Sequence, residues 1–247
     1  LLKEKKVEAV FSAGSTGATL ISAITVLGKQ KGVIRPAIAS VLPTSDGSVI
    51  LLDSGASLDV KPKVLYQFAV MGSKLAEVLL DLDKPRVGLL NNGEEESKGR
   101  DLEKSAYKLL SSSTLNFIGN VEGRDFASEK VDVFVTDGFT GNVVLKTLEG
   151  TARLQQKLIS DSLKKNLFKP LLPIVKNAFE PVKDKLNPDK TNASYLLGVD
   201  GLVTIGHGSS KQEAIKNGIK YTNNSVQKDF IGKFSETLNK LWIIFQI

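Results

Sequence analysis

Val7-Glu8-Ala9-Val10-Phe11, then Ser12-Ala13-Gly14-Ser15-Thr16-Gly17, then Ala18-Thr19-Leu20-Ile21: an apolar run enters a small, polar, glycine-bearing turn and leaves it as a helical pattern. The same grammar returns at Asp53-Ser54-Gly55-Ala56-Ser57, at Asn91-Asn92-Gly93-Glu94-Glu95-Glu96-Ser97-Lys98-Gly99, at Asp137-Gly138-Phe139-Thr140-Gly141-Asn142 and at Gly206-His207-Gly208-Ser209-Ser210. Strand, glycine turn and helix in repetition predict an α/β protein on a doubly wound, mostly parallel sheet in three layers. In such a sheet the turns gather at the carboxyl ends of the strands, where helix N-termini offer free N–H groups and partial positive charge. The expected site therefore favours an anion.

Around these turns lie short, β-branched or continuously apolar runs, read as strands buried on both faces: Val7 to Phe11, Ala37 to Leu42, Val49 to Leu52, Val87 to Leu90, Phe117 to Val121, Val131 to Val135 and Leu202 to Ile205. The clearest helical pattern is Val64, Leu65, Phe68, Met71, Leu75, Val78 and Leu79, entered through Pro62. Arg153 to Lys190 breaks the alternation as a long helical excursion. In it Leu171, Ile174, Val175, Ala178, Phe179, Val182 and Leu186 share one face among lysines, and Pro170, Pro173 and Pro181 cut it into shorter helices. Two readings stay open for that segment: a helical pair packed on the sheet, or a basic, apolar surface for a membrane or protein. Residues 1–247 read as a single domain.

Hydrophobic content of 41% and charged content of 24% are those of an ordinary globular chain. With no cysteine there is no disulfide, no thiolate metal site and no cysteine nucleophile, and a reducing cytoplasm is the default compartment. The apolar stretch Ala18 to Leu27 is too short for a bilayer and is broken by Thr19, Ser22 and Thr25. A net charge of +6 points to acidic partners, anionic substrates or a lipid surface. Nucleic acid is disfavoured, because the lysines are dispersed and few aromatics besides Trp242 are free to stack. The chain opens at Leu1 inside a helical pattern, Leu1 to Lys6, and reads as a fragment.

Each turn has a plain reading beside a chemical one. Gly14-Ser15-Thr16-Gly17 can hold a phosphate or a thioester oxygen on N–H groups and hydroxyls, or Ser15 or Thr16 can simply cap a helix. It lacks the third glycine of a dinucleotide fingerprint, and the chain has no Gly-x-x-x-x-Gly-Lys-Ser/Thr. His207, the only histidine, stands between two glycines, where an imidazole can donate a hydrogen bond or shuttle a proton, while Ser210 and Glu213 have capping-box spacing. Asn91 to Gly99 is either a solvated acidic loop or a weak Mg²⁺ site at Glu94 and Glu96, and Lys98 and Lys61 are better seen as point charges for phosphate. Gly138 and Gly141 are explained by a tight turn, but Asn142 and Lys146, one helical turn apart, are not.

Taken together, Phe11 to Ala18, Leu52 to Ala56, Gly88-Leu89-Leu90-Asn91-Asn92-Gly93-Glu94-Glu95, Phe117-Ile118-Gly119-Asn120-Val121-Glu122-Gly123-Arg124-Asp125, Thr136 to Val143 and Gly206 to Ser210 resemble, in order and over nearly the whole chain, the phosphate acyltransferase family of phospholipid synthesis (PlsX). The resemblance implies a fold similar to isocitrate dehydrogenase and phosphotransacetylase, a homodimer, and transfer of a fatty acyl group from acyl carrier protein to inorganic phosphate. It also implies a cytoplasmic enzyme that docks on the membrane, here through Leu171 to Leu186, with no cofactor and no metal. Family members carry an N-terminal Asp-Ala-Met-Gly-Gly-Asp motif with no counterpart here, and the apolar tail Leu241 to Phe245 has no family counterpart to offer.

An acyl thioester has a good leaving group, so the protein needs to orient phosphate on the carbonyl carbon and aim donors at the developing oxyanion, without a covalent acyl-enzyme. The expected catalytic set is Lys98, Asn142, Lys146 and His207. Gly14, Ser15, Thr16, Gly17, Asp53, Lys61, Asn91, Asn92, Gly138 and Ser209 are expected to bind substrate, with phosphate among Lys61, Lys98, Asn142 and Lys146 and the thioester near Ser15, Thr16 and His207. The rivals are a non-catalytic fragment that binds carrier or membrane, and a metal- and nicotinamide-dependent dehydrogenase of the same fold group, whose carboxylates and arginines this chain supplies thinly.

Overall fold

Strands covered on both faces need apolar residues at every position, and Ile50-Leu51-Leu52, Val133-Phe134-Val135 and Leu202-Val203 meet that requirement: all are buried. The computed structural model describes residues 1–165, 181, 193–208 and 210–245. Within them eight strands form one sheet: β1 (Ala9–Ser12), β2 (Ala37–Pro43), β3 (Ser48–Leu52), β4 (Val87–Leu90), β5 (Phe117–Val121), β6 (Val133–Val135), β7 (Ser194–Leu197) and β8 (Leu202–Ile205). Their order across the sheet is β1-β8-β7-β2-β3-β6-β4-β5.

The pairs β1/β8, β3/β6, β6/β4 and β4/β5 are parallel, while β2 runs antiparallel to both β3 and β7, and β7 antiparallel to β8. Connection length forces the β2/β3 and β7/β8 pairs, and the antiparallel β2/β7 pair, joined across the sheet, sets one hairpin against the other. A parallel crossover needs a dozen or more residues, and neither the link Thr44 to Gly47, closed by Thr44 N–H on the Gly47 carbonyl at 3.1 Å, nor the link Gly198 to Gly201 is that long. As a result β1 and β8 point opposite to β3, β4 and β6. The glycine turns, expected at one edge, are divided: those after β3, β4 and β6 lie at one edge and those after β1 and β8 at the other.

Helices α1 (Thr16–Val26), α2 (Pro62–Leu79), α3 (Asp101–Ser111), α4 (Gly138–Lys165), α5 (Gln212–Gln227) and α6 (Phe230–Phe245) cover the sheet. One face carries the main core, where Leu65, Phe68, Met71 and Leu75 of α2 meet Ile50, Leu52, Val87 and Val133. On the opposite face α4 packs Val144, Leu145 and Leu148 over Val49, Leu51 and Phe134. On that same face α1 packs Leu20, Ala23 and Ile24 over Ile38, Leu196, Val203 and Ile205. Alternation along β2 puts Ile38, Ser40 and Leu42 on this face, so a seam runs between the α1 and α4 packs with Ser40 in its floor.

Three local expectations differ from the structure. Leu1 to Lys6 forms hydrogen-bonded turns, Lys5 N–H on Leu2 O and Lys6 N–H on Leu1 O, in place of a helix. The Ser210–Glu213 capping box does not form, because α5 is capped one residue later at Lys211 with no side-chain bond. Strand β7 was hidden in the sequence, being only the four residues before Gly198. The excursion's amphipathic face, Leu171 to Leu186, falls outside the described residues apart from residue 181, as does Ser209. No helix among the described residues is long and apolar enough to cross a membrane.

Candidate active site

At the β3 edge the turn is built around Asp53. Its carboxylate accepts from the N–H groups of Ile38 (3.0 Å), Gly55 (3.0 Å), Ala56 (2.9 Å) and Ser57 (2.8 Å) and from the Ser57 hydroxyl (2.6 Å). Burial pushes the carboxyl above its ordinary range against the pull of those donors. Asp53 is 0% exposed, so its place is inside the turn, holding the backbone that a ligand would meet. The β6 turn is organised in the same way by Asp137, which accepts from Thr140 N–H (2.8 Å) and Thr140 Oγ1 (2.9 Å). Burial would raise its carboxyl, but the Thr140 donors and the Arg100 guanidinium outweigh that and hold it below the usual carboxylate range.

Arg100, which the motif reading passed over, donates to Asp137 Oδ2 at 2.5 Å and pairs with Glu103, tying the Asn91 loop to the start of α4. Within that loop Asn91 works internally, donating to Lys98 O at 3.2 Å and accepting from Asn92 N–H at 2.8 Å. Lys98 faces Glu95 at 4.0 Å, and Lys61 is the exposed N-cap residue of α2 with no capping bond. Gly138 lies against Ser57, and the Asn142 side chain stands 3.6 Å from the place of a Cβ on Gly55. Asp53, Gly138 and Asn142 are thus brought together.

At the opposite edge Gly206 N–H donates to Ser12 O at 2.8 Å, which docks the β8 turn on the β1 turn. Ser15 caps α1 at Ala18 N–H (3.5 Å) and Thr19 Oγ1 returns to Ser15 O, so the capping reading accounts for Ser15, while Gly14, Thr16 and Gly17 are exposed. His207 faces Glu149 of α4, Nε2 to Oε1 at 3.5 Å, and Glu149 Oε2 accepts from Lys146 at 3.1 Å.

Helix α4 connects the two edges. Asn142, Lys146 and Glu149 follow one another at i, i+4 and i+7 on one side of it and span about 10 Å at 1.5 Å per residue. The stripe begins beside Gly55 and ends beside His207. Along the seam Ser40 bonds Ser54 at 2.8 Å and Ser194 at 3.0 Å. A cavity of about 720 Å³ opens there, lined by apolar groups that include Leu42, Val49, Phe126, Leu145, Leu148 and Ala152, with Arg124, Glu149, Ser40, Ser194 and His207 among its polar lining. Apolar walls with a few convergent polar groups are the make-up of a small-molecule site. Glu149, Ser40 and Ser194 went unread in the sequence. Only Glu149 had a signal there, its i+3 spacing from Lys146, since the serines meet through a strand that sequence pattern did not reveal.

A family model described as a fatty acid synthesis protein matches residues 1–233. A phosphate acyltransferase from Thermosipho africanus is 45% identical over 242 residues, covering 97% of this chain and 74% of that protein. One from Thermosipho melanesiensis is 42% identical over 244 residues, covering 98% and 73%. Among solved structures, a phosphotransacetylase from Streptococcus pyogenes superposes with a TM-score of 0.60 at 15% identity, over 92% of this chain and 65% of that one, which shows the fold. The chain spans about two thirds of such a protein. Agreement of sequence along almost the whole chain, on a fold shared with a phosphotransacetylase, leads to one conclusion: this chain belongs to the phosphate acyltransferase family.

Proposed function

We propose that this protein moves a fatty acyl group from the thioester of acyl carrier protein to inorganic phosphate, giving acyl phosphate for phospholipid synthesis. The observation that carries the reading is the cavity of about 720 Å³, whose apolar wall suits an alkyl chain and whose lining includes His207, Glu149 and Arg124. Phosphate is drawn to the Asn142–Lys146 stretch of α4, and the thioester carbonyl lies at the seam toward His207. Orientation and charge do the work, with no acyl-enzyme. A net charge of +6 suits an acidic protein donor. The test follows free carrier thiol. Release should rise with added phosphate and match acyl phosphate formed mole for mole, and phosphate-independent release would remove the reading.

The reading includes a homodimer in the cytoplasm that rests on the membrane. For the dimer, Phe139, Val143, Leu154 and Leu158 share one side of α4, away from the core, and are 51–60% exposed. A second copy covers such a stripe at little cost. Leu154→Glu should give a monomer by light scattering, and an unchanged mass would argue against the interface.

A further inference from the structure

We infer that Glu149 is a positioning residue for His207, holding the imidazole so that its far nitrogen carries a proton between phosphate and the departing thiol. The inference rests on the acyl-transfer reading.

The ordinary account of Glu149 is a surface i,i+3 pair with Lys146, which adds little to stability. Its exposure argues otherwise. The Glu149 side chain is 13% exposed against 54% for Lys146, so the carboxylate is turned into the cavity wall while the lysine stays in solvent. Oε1 stands 3.5 Å from His207 Nε2. Among the described residues, the charged groups about His207 are Glu149 and Lys146 from α4 and, in the same cavity lining, Arg124 of the 3₁₀ turn Gly123–Ala127, itself paired with Glu122. Among the described residues, Glu149 is therefore the carboxylate that faces the ring.

A carboxylate beside Nε2 selects the form of the ring with a proton on that atom and leaves Nδ1 to the substrate. The same division of labour recurs wherever an acid orients a histidine base. In the transfer a bond forms between a phosphate oxygen and the carbonyl carbon, and the carbon–sulfur bond breaks. The proton of hydrogen phosphate passes to His207 Nδ1 and from there to sulfur, so thioester and hydrogen phosphate leave as acyl phosphate and thiol. Glu149 offsets the positive ring in between. Lys146 in turn holds Glu149 in place.

The test is a double-mutant cycle on acyl phosphate formation with Glu149→Gln and His207→Gln. Glu149→Gln keeps shape and an acceptor oxygen but removes charge, and should lower kcat roughly tenfold to a hundredfold while KM for phosphate moves less than about threefold. Glu149→Ala should lose more than Glu149→Gln. His207→Gln should cost about a hundredfold or more, and adding Glu149→Gln to it should cost nothing further. Multiplying losses, or full activity in Glu149→Gln, would overturn the inference while leaving the acyl-transfer reading standing. A wild-type protein that forms no acyl phosphate would remove that reading itself.

Discussion

Gly141→Ala lowers stability by about 3 kcal/mol, seen as a fall in Tm of about 6–12 °C. A Cβ on Gly141 would overlap the Asp53 carbonyl oxygen, with Thr136 Cγ2 at 3.1 Å on the other side. The obstacle is backbone rather than a flexible tip, and it cannot retreat, because Asp53 N–H is bonded to Thr136 O at 3.0 Å and the Asp53 carboxylate holds Gly55, Ala56 and Ser57. The start of α4 would have to lift from the β3 turn. Gly150→Ala is the matched control: on the same helix its Cβ meets nothing within 4 Å, so the change should stabilise by about 0.5–1 kcal/mol. Equal effects at the two glycines would refute the close approach.

Ala152→Trp separates long acyl donors from short ones. Ala152 lines the cavity on the side of α4 that also presents Leu145 and Leu148, so an indole there takes the room of several methylenes. Each buried methylene contributes about 0.8 kcal/mol, and excluding three costs about 2.4 kcal/mol, a loss of roughly fiftyfold in kcat/KM for a long-chain thioester. An acetyl thioester, which never reaches that depth, should change less than about threefold. Equal loss on both donors would mean that the alkyl chain lies elsewhere.

Much of the site was legible as pieces. His207 between two glycines and Asn142 one turn before Lys146 stood out because bland explanations left them over, and α4 brings Lys146 to the carboxylate that faces His207. Asp53 and Ser15 stood out equally, and the structure gives both work inside the backbone: the polar atoms that make them look like ligands are bonded to N–H groups of their own turns. Sequence marks a turn rich in polar atoms without telling which of those atoms the turn itself consumes. Lys61 and Lys98 remain exposed cations at the β3 and β4 edge.

What the sequence determined by itself was the kind of structure and the family, because strand runs, glycine turns and α2's apolar face are local patterns whose periods are set by backbone geometry. Even the antiparallel link between β2 and β3 was written there in the brevity of residues 44–47. What only the tertiary structure decided was which turns share an edge and what joins them. A strand's direction depends on its neighbour across the sheet, and the meeting of Glu149 with His207 depends on a 28-residue helix laid back over that sheet. Both are contacts between residues far apart in the chain, and hydrophobic period carries no record of them.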